Sequence, residues 1–262
     1  MWNVIKAQNY QIKKSNSTWY VILFGLAFYV LACFDIGSLE FSEITGSAYF
    51  LQLRGMWPIV GVAMMLVLTC KVCGGDLTDK TLNYEILGGH SRRKIYFGRC
   101  VVAMLWSFGV GYLMVLIPVL FFTVINGWGN YASGKMVLTC YGLAAFPFLR
   151  LLCGFVMLTF LVRNMYAAGI LGWIFYSFSM IAVMILQEVK DISFTVHLGL
   201  SNLMKLLDFS NGKLEYIDGK DVMVGQSPLT ASLAWQTVLV SLLVAALYLG
   251  IGYLYFKKSD QN

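Results

Sequence analysis

Charge is scarce in this chain of 262 residues: 12% of positions are Asp, Glu, Lys or Arg, and 59% are hydrophobic. Soluble domains carry roughly 25% charged residues. Too little polar side chain is left to cover a water-facing surface, which excludes a soluble domain and implies lipid as the outer solvent. Acids are the rarer sign, 13 against 19 Lys and Arg, and are nearly absent from the apolar runs. Histidine is scarcer still, with only His90 and His197. No His-Glu-x-x-His or Gly-x-Ser-x-Gly stretch occurs. A hydrolase needs a nucleophile with its base, or paired metal ligands, so no catalytic residue and no metal ligand is assigned and the chain is read as non-enzymatic. The formal charge of +6 does not point to nucleic acid, because the basic residues sit in short clusters beside apolar runs, a placement that orients membrane spans.

A helix needs roughly 20 apolar residues to cross the hydrocarbon core. Six runs qualify, at about 19–36, 56–73, 100–125, 136–162, 165–186 and 231–256. The expected fold is all-α: a polytopic helical bundle of about six spans in a single transmembrane domain covering residues 1–262. Only Arg163-Asn164 separates the fourth and fifth runs, which predicts a tight helical hairpin. Lys6, Lys13, Lys14, Lys71, Lys80, Arg92, Arg93, Lys94, Arg99, Arg163, Lys257 and Lys258 fall on one side of this topology. Arg54, Lys135, Lys190, Lys205, Lys213 and Lys220 fall on the other, four of them interleaved with acids in one long loop. Positive residues favour the cytoplasmic side, so both termini are expected in the cytoplasm. Trp19, Trp57, Tyr253 and Tyr255 stand near span ends, where amphipathic rings prefer the interface. Lys13-Lys14 before a run ending Val30-Leu31-Ala32-Cys33 has the outline of a lipoprotein signal. It is read as an ordinary first span, since five more spans follow.

The six cysteines do not form a disulfide framework: Cys70-x-x-Cys73 has redox or zinc spacing, but no second Cys or His pair completes a site. They are read as buried apolar side chains. Gly129-Asn130-Tyr131-Ala132-Ser133-Gly134-Lys135 matches most of a phosphate-binding loop, yet Met136 stands where a hydroxyl would hold magnesium and no strand precedes it. Before the first span, Trp2, Ile5 and Ile12 fall roughly on one helical face with lysines beside them, as in a helix lying in the interface. In the loop 74–96, Leu82 and Ile86 are at helical spacing, Gly88-Gly89 is a helix stop, and Ser91 is placed to cap the next helix. A short helix over Leu82–Leu87 would then project from the membrane with Arg92, Arg93 and Lys94 at its base. In the outer loop 187–230, Leu200, Leu203, Met204 and Leu207 recur as one apolar helical face, and Lys213–Ile217, Asp218-Gly219 and Lys220–Val224 read as a hairpin. Arg150 is the one charge deep within a span, one turn after Pro147. It is either a pathway or subunit-interface residue or an arginine satisfied by helix-break carbonyls or snorkelling.

The layout of a short basic N-terminal segment, six spans and a long outer loop between spans five and six resembles the permease subunits of ABC-2-type transporters. The similarity is closest to the small bacterial ones linked to bacteriocin or peptide-antibiotic export and immunity. The local motif lies after span two: Asp79-Lys80-Thr81-Leu82, Leu87-Gly88-Gly89-His90-Ser91-Arg92 and Ile95-Tyr96. The family often has an acid where this chain has Gln8-Asn9, and Lys where it has Arg99. The resemblance implies a multi-pass protein of the cell membrane that forms an export pathway for a peptide, antibiotic or lipid-like substrate. It would pair with a second permease chain, identical or a sister, and be powered by a separate ATP-binding subunit that holds the ATP and magnesium. Leu82, Tyr84, Glu85, Ile86, Leu87, Ser91 and Arg92 would form the coupling helix and its flank docking into that subunit, with Leu82, Tyr84, Ile86 and Leu87 as apolar anchors. Two other classes stand beside this one: a secondary transporter, and a non-transporting membrane sensor or assembly protein.

Overall fold

The computed structural model describes residues 1–34, 44–78, 82–130, 132–190, 213–217, 220–224 and 231–258. The helices among them are α1 (Trp2–Lys14), α2 (Asn16–Phe34), α3 (Gly46–Thr78), α4 (Leu82–Leu87), α5 (Arg92–Gly111), α6 (Leu116–Asn126), α7 (Gly134–Val162), α8 (Met165–Lys190) and α9 (Ala231–Lys258). Within the described residues, each of the six apolar runs falls on a helix, or, for the third, on α5 and α6 together. By length and composition four stretches can cross a bilayer: Ile59–Thr78, Arg92–Asn126, Gly134–Val162 and Ala234–Lys258. Two shorter apolar helices, Asn16–Leu31 and Met165–Ile181, stand with them. The chain is thus an all-α polytopic membrane bundle. At 33 residues, α3 is about 50 Å long at 1.5 Å per residue, well beyond a hydrocarbon core of about 30 Å.

The hairpin is present in the backbone: β1 (Lys213–Ile217) and β2 (Lys220–Val224) pair antiparallel, with Lys213 opposite Val224 and Ile217 opposite Lys220. That register leaves two residues for the turn, as the Asp-Gly spacing predicts. Asp218 and Gly219 themselves, and the apolar face of Leu200, Leu203, Met204 and Leu207, lie outside the described residues.

The third span is not one helix. It breaks at Tyr112, passes through a 3-10 turn at Leu113–Val115, and resumes as α6. Pro118 supplies the cause, since it has no N–H to give Met114 and its ring crowds that carbonyl. The break is closed by side chains. The Tyr141 hydroxyl donates to the Tyr112 carbonyl and the Tyr112 hydroxyl to the Tyr141 carbonyl. Their rings stack with centroids 4.5 Å apart. Inside a bilayer no water is at hand for an unpaired carbonyl, so this pairing satisfies the Tyr112 carbonyl at the break.

Helices in lipid gain little from the hydrophobic effect and associate through close packing at small residues. A Cβ on Gly111 of α5 would stand 2.7 Å from the Gly61 carbonyl of α3, and one on Gly252 of α9 would stand 3.3 Å from the Met157 Cα of α7. The α7–α8 hairpin turns in two residues, as the spacing predicts. Arg163 takes the left-handed conformation (φ 57°) and the Asn164 Oδ1 accepts the N–H groups of Tyr166 and Ala167. The Thr78 hydroxyl of α3 accepts the Met165 N–H at 2.8 Å, docking this hairpin on the end of α3.

Candidate functional site at the basic end of the bundle

The end of α3, the short α4, the start of α5, the end of α7 and the end of α9 converge with α1 at one end of the bundle. A second apolar cluster sits there, built on Ile12, Cys73, Ile95, Tyr96, Phe160 and Phe256. Tyr96 is its hub: its hydroxyl donates to the Leu249 carbonyl at 2.9 Å, and its ring touches Phe97, Phe160, Tyr253 and Phe256. Most of the residues expected on the positive side gather here. Lys71 donates to the hydroxyls of Ser15, Ser17 and Thr18 at the α1–α2 junction, at 2.5, 2.6 and 2.7 Å. Arg92 donates to the Lys257 carbonyl at 2.9 Å, and the Arg163 guanidinium lies over the Tyr255 ring.

Within this end lies a buried ionic clamp. Arg99, seven residues into α5, is fully buried. Its Nη2 is 2.7 Å from the Asp76 Oδ2 on α3 and 3.1 Å from the Glu85 Oε1 on α4. The Gln8 amide of α1 donates to the same Asp76 oxygen at 2.9 Å. One guanidinium therefore ties α3, α4 and α5 together, and Asp76 extends the tie to α1. A buried charge must be paired to persist, and these partners come from different helices, so the clamp fixes their mutual position. Its geometry is incomplete: a single nitrogen serves both carboxylates, while Arg99 Nε and Nη1 and the Glu85 Oε2 are buried without a hydrogen-bond partner. Such an arrangement holds, yet less strongly than a bidentate pair.

α4 itself ends as its glycines predict. The His90 N–H bonds the Glu85 carbonyl at 3.2 Å and the Gly89 N–H bonds the Ile86 carbonyl at 3.0 Å. Gly89 stands at φ +82°. This is the paired bonding of a Schellman motif, which needs a left-handed residue at that point. Glu85 thus turns inward to Arg99, and Ile86 packs half-buried against the apolar cluster. Leu87 is 82% exposed. The expected anchors divide accordingly, with Leu87 facing outward and Ile86 holding α4 to the bundle. The side chains of Leu82 and Tyr84 lie outside the described residues. Ser91 takes the N-cap position of α5 with an extended backbone, but its hydroxyl makes no capping bond; its carbonyl accepts the Ile95 N–H instead.

The side of α1 packed on the bundle is not the Trp2–Ile5–Ile12 face of the interfacial reading. Val4, Gln8 and Ile12 are buried, whereas Trp2 is exposed. The polar Gln8 goes inward because Asp76 requires a donor there, and an apolar count along the helix cannot register that. Gln8, Asp76 and Arg99 were not singled out as site residues from the sequence. The signal available was the single acid of α3, Asp76, near its end, and an arginine set within the following span.

Arg150 belongs to another part of the molecule. It is 1% exposed within α7, past Pro147, close enough to Tyr248 of α9 for electrostatic interaction. The structure does not bring it to the clamp. The five described cysteines are free and buried, in line with the apolar reading. Among the described residues no group of His, Cys, Asp and Glu is arranged to hold a metal ion. In the glycine-rich loop, Gly129 stands at φ +79° and a Cβ there would collide with Thr45. The Trp128 carbonyl accepts the Ser47 N–H at 2.8 Å. Its glycine is needed to seat the loop against the start of α3.

No protein-family model matches this chain, and no curated protein matches it.

Proposed function

We propose that this chain is the membrane-spanning permease subunit of an ABC-2-type exporter, with α4 as the helix through which a separate ATP-binding subunit drives it. The observation that carries this reading is α4: a six-residue capped helix between two spans at the basic end, with Leu87 outward and Glu85 fastened to the buried Arg99. A loop that only sets orientation needs positive charge and no internal anchor. A helix that receives force needs both an exposed face and a rigid connection to the spans. Movement applied at Leu87 would pass through Glu85 to Arg99 and so to α3 and α5. The break at Tyr112 gives α5 a point about which its basic end can move relative to α6. The basic end faces the cytoplasm on the positive-inside argument, where ATP is available. A second permease chain, identical or a sister, completes the pathway for a peptide, antibiotic or lipid-like substrate.

The test is purification of the native assembly in mild detergent, with identification of its subunits and measurement of ATP hydrolysis. Leu87→Asp is expected to remove the ATP-binding subunit while the permease still inserts. If Leu87→Asp keeps its partner and full ATP-dependent activity, α4 is not the docking element.

The broken third span favours one competing reading, a secondary transporter, since such proteins use interrupted helices around a midplane site. Transport that persists with the ATP-binding subunit removed, and follows an ion gradient, would select it.

A further inference from the structure

Between α1 and α5 runs a groove of about 300 Å³, lined by Ile5 and Asn9 of α1 and by Val102, Trp106, Gly109 and Val110 along α5. We infer that this groove is a binding site for one acyl chain of an anionic phospholipid, whose headgroup is held by Lys6 and Lys13 of α1.

Three observations carry the inference. The first is direction. From Val102 to Val110 the lining spans nine residues of α5, about 12 Å between the first and the last at 1.5 Å per residue. Val102 stands about one turn past Arg99, and from there the groove follows a helix that continues into the apolar span. Its walls are almost entirely apolar. The polar exception, Asn9, sits on the α1 side and accepts the Trp106 indole N–H at 2.9 Å. That bond occupies the indole N–H, and the rest of the wall is apolar, which suits a lipid chain.

The second is charge. Residues 1–34 contain Lys6, Lys13 and Lys14 and no acid. At 100° per residue, Trp2, Lys6 and Lys13 lie within about 60° of Asn9 around α1, on the side turned away from the buried Val4–Gln8–Ile12 face. Lys6 and Trp2 are mutually placed, with the ammonium 5.8 Å from the indole centroid. An exposed indole beside lysines is the arrangement of an interfacial helix that meets anionic headgroups. The third is space. A Cβ built on Gly109 meets nothing within 4 Å, so the floor of the groove is open at that residue. This differs from Gly111 two residues on, where the α3 backbone closes the gap. The inference does not depend on the transporter reading.

The test uses the full chain, delipidated in detergent and titrated separately with phosphatidylglycerol and phosphatidylcholine. Retained lipid is counted by native mass spectrometry and the melting temperature is followed in parallel. One phosphatidylglycerol is expected to be retained. Two lysines at a membrane surface give it a preference over phosphatidylcholine of roughly 25-fold. Gly109→Leu, whose Cβ would meet nothing within 4 Å, is expected to abolish retention of either lipid, and the lipid-free melting temperature reports that it folds. Lys6→Gln with Lys13→Gln, both on the exposed side of α1, is expected to retain a lipid and lose the preference. Equal retention of the two lipids by the unaltered chain, or undiminished phosphatidylglycerol retention in Gly109→Leu, overturns the inference. If Gly109→Leu does not fold, a phosphatidylglycerol preference that survives the double lysine change overturns the headgroup assignment.

Discussion

Glu85→Gln tests whether the clamp governs α4 in particular or the bundle as a whole. The change removes a charge from the 3.1 Å contact with Arg99 and leaves the 2.7 Å Arg99–Asp76 pair in place. A hydrogen bond to a charged partner contributes about 1.5–3 kcal/mol. Here the lower end applies, because Glu85 is a quarter exposed and its second carboxylate oxygen makes no bond. A loss of roughly 1–2 kcal/mol raises the open population of a locally unfolding segment by about 5- to 30-fold. α4 is a six-residue helix held otherwise by Ile86 and its glycine cap, so the whole of that loss is expected to appear as local opening. Hydrogen–deuterium exchange on the detergent-solubilised chain is the assay. The amides of 82–90 should exchange about 5- to 30-fold faster, with α7 and α9 unchanged. Arg99→Met supplies the contrast. It leaves Asp76 and Glu85 without their shared cation, and breaking a buried pair from one side costs about 3–5 kcal/mol. It should therefore speed exchange at the ends of α1, α3 and α5 as well. If Glu85→Gln leaves exchange at 82–90 unaltered, or speeds it equally throughout the chain, Glu85 does not fasten α4 and the force path drawn through Arg99 is wrong.

Gly89→Ala puts a Cβ into open space but forces a side chain into the left-handed region, at a cost of about 1–2 kcal/mol; it should reproduce the local opening of α4 and lower ATP-dependent activity without changing insertion. Tyr141→Phe removes the donor that covers the Tyr112 carbonyl at the break, and leaving a buried acceptor unpaired costs about 1–3 kcal/mol. Thermal unfolding in detergent should shift down, and an unshifted transition would show that the break is closed by something else. For topology, single cysteines at Ser91 and at the exposed Ser133, in a cysteine-free background, should respond oppositely to an impermeant thiol reagent in intact cells, with Ser133 labelled and Ser91 protected. Arg150→Leu should insert at least as well as the unaltered chain, because an apolar residue is favoured in the hydrocarbon core; loss of transport or assembly in that variant would assign the charge to the pathway or an interface, and full activity would assign it to packing with Tyr248.

The helices were legible because lipid imposes one dominant rule, a long apolar run, and the rule leaves its mark in composition. The two-residue turn at Arg163-Asn164, the hairpin spacing and the glycine stop of α4 were legible for a related reason: each is a local demand of the backbone written in adjacent residues. The break in span three was harder to see. Pro118 sits inside an unbroken apolar run, and hydropathy does not register a missing N–H. The clamp was legible only in fragments, as a lone acid near the end of α3, an arginine within the next span and a glutamate on α4. Gln8, Asp76, Glu85 and Arg99 lie on four segments, and only folding brings them to one point. Counted by topology alone, Arg99 is one more positive residue near the cytoplasm, and Glu85 is one more polar position on a small helix expected to face outward.

That distinction bears on how this end of the molecule works. The basic residues at the surface, Arg93 and Lys94 among them, can set orientation by charge alone, and exchanging one for another should matter little. Arg99 differs from them because its charge is paired inside the fold. It is buried, one of its carboxylates comes from the end of α3 and the other from α4, and the pairing draws the end of α3, the helix α4 and the start of α5 into one body. A span boundary stitched in this manner resists independent motion of its parts. On the coupling role proposed for α4, a push on it would either break the clamp or carry α5 with it, and the Tyr112 break would let that carried segment turn without dragging α6 along.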